Sequence, residues 1–205
     1  MIEVKKIISQ FLDSNTFVVS KGENAVVVDC GAKIKDVKEA TNGKKVVAIL
    51  LTHGHFDHAF FANEYAKEFG CKVYANINAK TALADPALNY GETFKIEDFS
   101  SFVWTEGDGI LVFDDIMIKH FYCPGHSNCL NVYQIENALF SGDCIFARGI
   151  GRCDLLTSNK KQMLSSLEKL TLTEFETCHC GHYEDSGYAN IMRNINIHIR
   201  YLKKR

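Results

Sequence analysis

Thr52-His53-Gly54-His55-Phe56-Asp57-His58 runs straight out of the apolar stretch Val46-Val47-Ala48-Ile49-Leu50-Leu51. Residues 45–52 are continuous and rich in β-branched side chains, which marks a strand covered on both faces. Three imidazoles and one carboxylate then fall within six positions. His and Asp are ligand types for borderline divalent ions such as zinc, iron or manganese. If residues 53 and 55 extend the strand, their side chains share a face, because strand side chains alternate. Residues 57 and 58 approach from a second direction once the chain turns. That geometry suits two neighbouring ions better than one. The plain alternative is a cluster of surface histidines.

Three more fragments of this kind lie downstream, each after a strand-like run. They are His126 in Cys123-Pro124-Gly125-His126-Ser127, Asp143 in Ser141-Gly142-Asp143, and His182 in Cys180-Gly181-His182. A glycine precedes each, and Gly54 separates the first two histidines. Glycine permits the tight turn where a strand ends and lets backbone approach a ligand closely. One Gly-His or Gly-Asp is usually just a turn. Four fragments at four strand ends point together to a metal centre.

The flanking segments read as a layered α/β chain. Residues 16–20 and 25–29 form a β-hairpin around Lys21-Gly22-Glu23-Asn24. Residues 33–40 are a short amphipathic helix ending near Asn42-Gly43. Residues 60–69 are a helix closed by Gly70, residues 71–75 a strand, and residues 78–84 a helix stopping before Pro86. Residues 85–101 lack periodicity and read as a surface excursion, the kind that serves as a lid or binding segment. Two more hairpins follow: 110–113 with 116–122, and 131–135 with 138–141. Met163, Leu164, Leu167 and Leu170 stripe a helix over 160–170. Residues 174–178 read as the last strand and 188–202 as the last helix, with Ile191, Ile195, His198 and Ile199 on one side. The two halves share an order of strands, helix and ligand-type residues, a weak internal repeat. No linker divides the chain, so residues 1–205 are expected to form one domain.

Composition narrows the classes. With 205 residues, 46% hydrophobic and 23% charged, the chain sits near the globular average and can bury a core without disulfides. Its 23 basic and 25 acidic residues leave a formal charge of −2, with no basic excess to recommend nucleic acid or an anionic membrane as partner. The basic end Arg200-Tyr201-Leu202-Lys203-Lys204-Arg205 reads as a solvated helix end. No signal-peptide core opens the chain, and no stretch approaches the ~20 apolar residues of a membrane span. The expectation is a soluble, cytoplasmic protein. Its 8 Cys are scattered through apolar runs, which fits free thiols in a reducing compartment. Cys178-His179-Cys180 beside His182 raises a thiolate zinc site, but such sites use wider spacing and two ligand pairs, and no second pair occurs.

The ordered set HxHxDH at residues 53–58, then Gly125-His126, Gly142-Asp143 and Gly181-His182, resembles the motifs of the metallo-β-lactamase-fold hydrolases. The resemblance covers residues 52 to 182. It implies a four-layer αββα sandwich with a two-metal site at one edge of the sheets. It assigns His53, His55 and His126 to the first metal, Asp57, His58 and His182 to the second, and Asp143 to both. The implied cofactors are two divalent ions, zinc first, with iron or manganese accepted by the same donors. Residues 89–93, residues 140–143 and Arg148-Gly149-Ile150-Gly151-Arg152-Cys153-Asp154 look like the glyoxalase II-like branch, whose members cleave thioesters such as S-hydroxyacylglutathione. The resemblance therefore implies hydrolysis of a small thioester or related ester. Divalent ions lower the pKa of bound water to about 7, and a hydroxide bridging the pair attacks the carbonyl. The ions stabilise the oxyanion, Asp57 also orients the nucleophile, and thiolate leaves without a dedicated general acid.

Two departures bear on the substrate. Only residues 183–205 follow the last Gly-His, so the C-terminal helical region that helps full glyoxalase II bind glutathione is expected to be missing. Tyr183-Glu184-Asp185-Ser186 stands where that branch usually has Gly-Pro-Glu. Both leave the metal chemistry intact and the thiol carrier open. Arg148 and Arg152 are candidates to grip a substrate carboxylate by forked hydrogen bonds, or else to form structural ion pairs. Asp29, at a strand end, is placed to orient a metal-bound imidazole. His179 lacks a preceding glycine and sits in strand alternation, so it packs or hydrogen-bonds instead; His120 and His198 lie inside regular elements. The rival on the same fold is a persulfide dioxygenase with one iron on His53, His126 and Asp143. A metal-binding protein without catalysis is a third reading, and an RNA-processing nuclease is set aside because its large inserted domain is absent. The expected partner is a small molecule, and the oligomeric state stays open.

Overall fold

A computed structural model describes residues 1–204. Its first sheet contains β1 (Glu3–Ile8), β2 (Asn15–Lys21), β3 (Asn24–Val28), β4 (Lys45–Leu50), β5 (Lys72–Asn76) and β6 (Phe102–Thr105), in that spatial order. β7 (Gly109–Phe113), β8 (Ile116–Tyr122), β9 (Asn131–Ile135) and β10 (Ala138–Gly142) open the second sheet. A separate ribbon of β11 (Ile145–Phe146) and β12 (Gly149–Ile150) follows, and β13 (Thr177–Cys180) and β14 (Ser186–Gly187) then complete that sheet in the order β14-β13-β10-β9-β8-β7. The helices are α1 (Ile34–Thr41), α2 (Phe56–Ala59), α3 (Ala62–Phe69), α4 (Ala79–Ala84), α5 (Pro86–Asn89), α6 (Lys160–Leu170) and α7 (Tyr188–Leu202).

Strand alternation explains the continuous apolar runs. Along β2, β3 and β4, Phe17, Val19, Val26, Val28, Ala48 and Leu50 face the other sheet and meet Ile118, Tyr133, Ile135 and Phe140 there. The intervening Val18, Val27 and Ile49 face outward onto Val37 of α1, Tyr65 of α3 and Leu83 of α4. In the second sheet, Val132, Leu139, Cys178 and Cys180 point the opposite way, onto Met163 and Leu167 of α6 and Ile191 and Ile195 of α7. Three apolar layers thus separate four layers of secondary structure. The chain is the expected αββα sandwich, because both faces of each sheet are apolar and each must be covered.

Topology brings the ligand-type residues to one edge. β3 and β4 run parallel, as do β10 and β13. The carboxyl ends of parallel strands share an edge, where α/β folds place their crevices. Asp29 follows β3, His53 follows β4, Asp143 follows β10 and His182 follows β13. Backbone hydrogen bonds tie the two sheets at this edge: Asn131 N–H donates to Thr52 O at 2.7 Å, and Asn15 N–H to Gly181 O at 2.7 Å.

Four local readings need correction. β4 ends at Leu50, so His53 and His55 lie in coil beyond the strand rather than along it. The helix expected over 60–69 begins at Ala62, and a separate short helix that was not expected, α2, precedes it and holds Asp57 and His58. The excursion over 85–101 is pinned rather than loose: α5 lies in it, Ile96 is buried, and the fully buried Asn89 donates to Ala82 O and Phe94 O, both at 3.0 Å. The last strand is shifted to 177–180, so Cys178 and Cys180 enter the outer core while His179 faces the opposite way.

Phe140 is fully buried between the sheets, 5.4 Å from the Phe17 ring and 4.9 Å from the His179 ring between centroids. Phe140→Ala is expected to cost about 3–5 kcal/mol, read as a lowered urea midpoint. A loss under about 1 kcal/mol would mean that the sheets do not pack through this ring.

Candidate metal centre

The seven side chains singled out in the sequence converge. His53, His55, Asp57, His58, His126 and Asp143 are buried, and His182 is partly exposed. Three triads have mutually close ligand atoms: His53, His55 and His126 in one, Asp57, His58 and His182 in another, and His53, His58 and Asp143 in a third that links them. Asp143 reaches both of the first two. Its Oδ2 lies 3.4 Å from His126 Nε2 and 3.5 Å from His182 Nε2, and its Oδ1 lies 3.5 Å from His58 Nε2. Gly181 makes this approach possible, since a Cβ there would fall 2.3 Å from Asp143 Oδ1. Gly142 adopts φ +48, and a Cβ on it would strike Thr52 Cβ at 2.6 Å.

Four of the five imidazoles are anchored on their outer nitrogen. Asp29 Oδ2 accepts from His58 Nδ1 at 2.8 Å and from the Thr52 hydroxyl at 2.8 Å. Because Thr52 Oγ1 donates to Asp29, its lone pair is free for His53 Nδ1–H at 3.0 Å. His126 Nδ1–H donates to Arg152 O at 3.0 Å, and His182 Nδ1–H to Leu12 O at 3.1 Å. A proton on each outer nitrogen leaves Nε2 of the neutral ring as an inward lone pair. One carboxylate, Asp29, thereby sets the orientation of two rings.

The inward atoms fit a cation. His55 Nδ1 lies 3.1 Å from His53 Nε2 and 3.1 Å from His126 Nε2. With the outer protons of His53 and His126 assigned as above, three inward nitrogens crowd one point with at most one proton, on His55, to share among them. Asp143 Oδ1 is buried with no hydrogen-bond partner among the described residues. Buried polar atoms left so are costly, and a shared divalent ion removes the cost.

Burial and neighbouring charge set the protonation states. Burial drives His53 well below the usual imidazole range, helped by repulsion from His58 and His55. Burial and His126 push His55 down to about 3, and burial also lowers His126. These three rings are therefore neutral near pH 7, the form that binds metal. Burial opposes charge on His58 as well, but Asp57, Asp143 and Asp29 outweigh it and raise the ring to about 10. Burial disfavours the Asp57 carboxylate, yet His58 and His182 hold it down at about 2.

A cavity of about 750 Å³ opens beside His126, Asp143 and His182. Its far wall is the β11–β12 ribbon, with Phe146, Arg148 and Ile150. α7 holds that ribbon in place: Asn194 Nδ2 donates to Phe146 O and Gly149 O, both at 2.9 Å, and Asn190 Nδ2 to Ala147 O at 3.0 Å. Both arginines line the cavity. Arg152 forks onto Asp154 with two bonds of 3.0 Å, and Arg148 Nε lies 3.5 Å from Glu184.

His179 stands apart from the cluster, stacked on Phe140 and bonded to Asp185 Oδ2 at 2.9 Å. His120 is buried in β8, and His198 Nδ1 donates within α7 to Asn194 O at 3.0 Å. All eight cysteines are free, and no grouping of metal-type side chains among the described residues includes a thiol. The sequence reading missed Leu12, Phe146 and Asn194. Asn194 carried a signal: it is a polar residue on the buried stripe of Ile191 and Ile195. Leu12 carried none.

Fold and donor cluster together define a metal-dependent hydrolase superfamily. Residues 10–182 match the family model described as the metallo-beta-lactamase superfamily, and the chain belongs to that superfamily. A protein of Bacillus subtilis strain 168 described as probable metallo-hydrolase YqgX is 30% identical over 180 residues, covering 83% of this chain and 85% of its own. The hydroxyacylglutathione hydrolase of Nitrosomonas eutropha is 30% identical over 174 residues, covering 84% of this chain and 62% of that enzyme. The crystal structure of BLEG-1 B3 metallo-beta-lactamase superposes with a TM-score of 0.85 at 26% identity, covering 95% of this chain and 99% of that one. No helix among the described residues is long and apolar enough to cross a membrane.

These protonation states give the metal-free protein a pH signature. His58 titrates at about 10 when folded and near 6.5 when unfolded, so its stabilisation is complete below pH 6.5 and is lost as pH rises through 10. His55 has the opposite sign: the unfolded chain takes the proton near pH 6.5 and the folded chain only near 3, so stability falls as pH drops across that window. Asp57 adds stabilisation that is present above 3.8 and lost as pH falls through about 2. In chelator, the melting temperature should therefore peak near pH 6.5 and decline toward both acid and alkali. A melting temperature still climbing well above that pH would contradict these assignments.

Proposed function

We propose that the chain is a two-metal hydrolase of small thioesters or related esters. His53, His55 and His126 hold one ion, Asp57, His58 and His182 hold the other, and Asp143 serves both. The observation that carries this reading is the pair of donor triads, buried but for His182, joined by one carboxylate. The relatives described as a probable metallo-hydrolase and a hydroxyacylglutathione hydrolase support it. Zinc is the first choice of ion, with iron or manganese compatible. Free thiols throughout suit a reducing cytoplasm.

When bound, two divalent ions supply Lewis acidity, which lowers the pKa of a water to about 7 and polarises the ester carbonyl. The chain does the rest. Asp57, a carboxylate at any working pH, accepts a hydrogen bond from the attacking water and orients it. Asp29, Thr52 and the carbonyls of Leu12 and Arg152 hold the imidazoles in their working tautomers. Held orientation is worth a large part of such a barrier. The ribbon wall beside Asp143 receives the substrate, and Arg148 or Arg152 meets a substrate carboxylate by exchanging it for Glu184 or Asp154. A thiolate leaving group needs no proton from the chain.

Metal analysis of the purified protein, paired with a panel of acyl thioesters that includes S-lactoylglutathione, tests this. The expected result is two divalent ions per chain and thioester hydrolysis, with His55→Ala abolishing turnover and lowering metal content. A single iron with oxygen uptake on glutathione persulfide would replace hydrolysis by dioxygenation on His53, His126 and Asp143. Unchanged turnover of His55→Ala with both metals retained would break the ligand assignment.

A further inference from the structure

We propose that Tyr90 is the positioning residue of His55: the face of its ring receives the His55 Nε2–H and so fixes the tautomer that turns Nδ1 toward the metal. This rests on His55 being a ligand, as proposed above. His55 is the exception among the five imidazoles. It presents Nδ1 inward, and its Nε2 is buried with no hydrogen-bond partner among the described residues. The other four rings have an oxygen acceptor on the outer nitrogen. What His55 has instead is Tyr90, with ring centroids 5.2 Å apart and planes at 87°. A perpendicular pair sets the edge of one ring against the face of the other, and an aromatic face accepts an N–H weakly. Imidazole edge on phenol face accounts for both the perpendicular planes and the orphaned nitrogen.

The surroundings are built to hold this ring. Tyr90 caps α5 at φ +62, a left-handed conformation that a bulky residue rarely adopts. Asn89 beside it is fully buried, bonds Ala82 O and Phe94 O, and accepts from Gly91 N–H at 2.8 Å. The Tyr90 hydroxyl accepts from Leu156 N–H at 2.7 Å, which ties the excursion to the loop beyond Arg152. Strained backbone persists where surrounding contacts over-determine it. The pinned segment over 85–101 thus delivers one aromatic face to the one unanchored ligand.

Ring and hydroxyl separate by mutation. Tyr90→Phe keeps the face and loses the Leu156 bond, while Tyr90→Leu loses both. Tyr90→Gly, which suits the left-handed backbone, guards against a leucine variant that fails to fold. Zinc affinity by competition with a chromophoric chelator should fall about tenfold at one of two sites in the Leu and Gly variants and stay at the wild-type value in Phe. In imidazole nitrogen–proton spectra of the zinc-loaded protein, the His55 Hε2 signal should be shifted upfield by the ring in wild type and Phe, and not in Leu or Gly. An unshifted Hε2 in wild type, or undiminished binding of both ions by a folded Leu or Gly variant, would overturn the proposal; the latter would mean that water anchors Nε2 as well as the ring does. Wild-type protein that fails to bind a second zinc would overturn the ligand assignment itself.

Discussion

Imidazole and carboxylate groups crowded into one buried spot are the constraint around which this molecule is organised. Burying several imidazoles and two carboxylates in one spot costs free energy unless something positive sits among them. In the metal-free chain, part of that charge is a proton, held on His58 by Asp57, Asp143 and Asp29. The first triad has no such proton, because His53, His55 and His126 are all driven neutral by burial. The two halves of the centre are thus unequal. One is a set of neutral donors fit for a cation, and the other would have to release a proton before taking one.

Everything nearby serves to keep those donors from turning away. The anchors come from the first sheet and the separate ribbon, at distant parts of the chain: Asp29 after β3, Leu12 after β1, Arg152 after β12. Close backbone approach at Gly181 sets Asp143 between the triads. The four-layer sandwich matters to function because parallel strand pairs in each sheet end at the same edge, where their loops meet. α7 contributes differently, by gripping the ribbon that walls the cavity through Asn190 and Asn194. The cavity wall is therefore held by the last helix, while the arrangement of the donors is governed by the sheets.

Much of this was legible in the residues, for definite reasons. The runs Val26-Val27-Val28 and Val46 to Leu51 announced strands covered on both faces, and the layers followed. The donor cluster was legible because its members lie in four short fragments at the ends of apolar runs, each fragment containing a glycine. Three things were hidden. The break between α2 and α3 was hidden because the apolar pattern continues across Phe60 and Phe61. The pinning of residues 85–101 depends on one buried Asn side chain bonding the backbone, which leaves no periodic trace. The sharing of α7 between core and cavity was half visible in Asn194. The arginines illustrate a different limit. Sequence pattern left them open between a substrate carboxylate and a structural ion pair, and in the fold each has a carboxylate partner, Arg152 with Asp154 and Arg148 with Glu184. Those pairs are exposed and exchangeable, since surface ion pairs are worth little.

The most direct measurement is anomalous diffraction at the zinc edge from crystals grown with the metal. Two peaks about 3.5–4 Å apart are expected, one ringed by His53, His55 and His126, the other by Asp57, His58 and His182, with Asp143 between them. One peak alone, or peaks away from these side chains, would contradict the account.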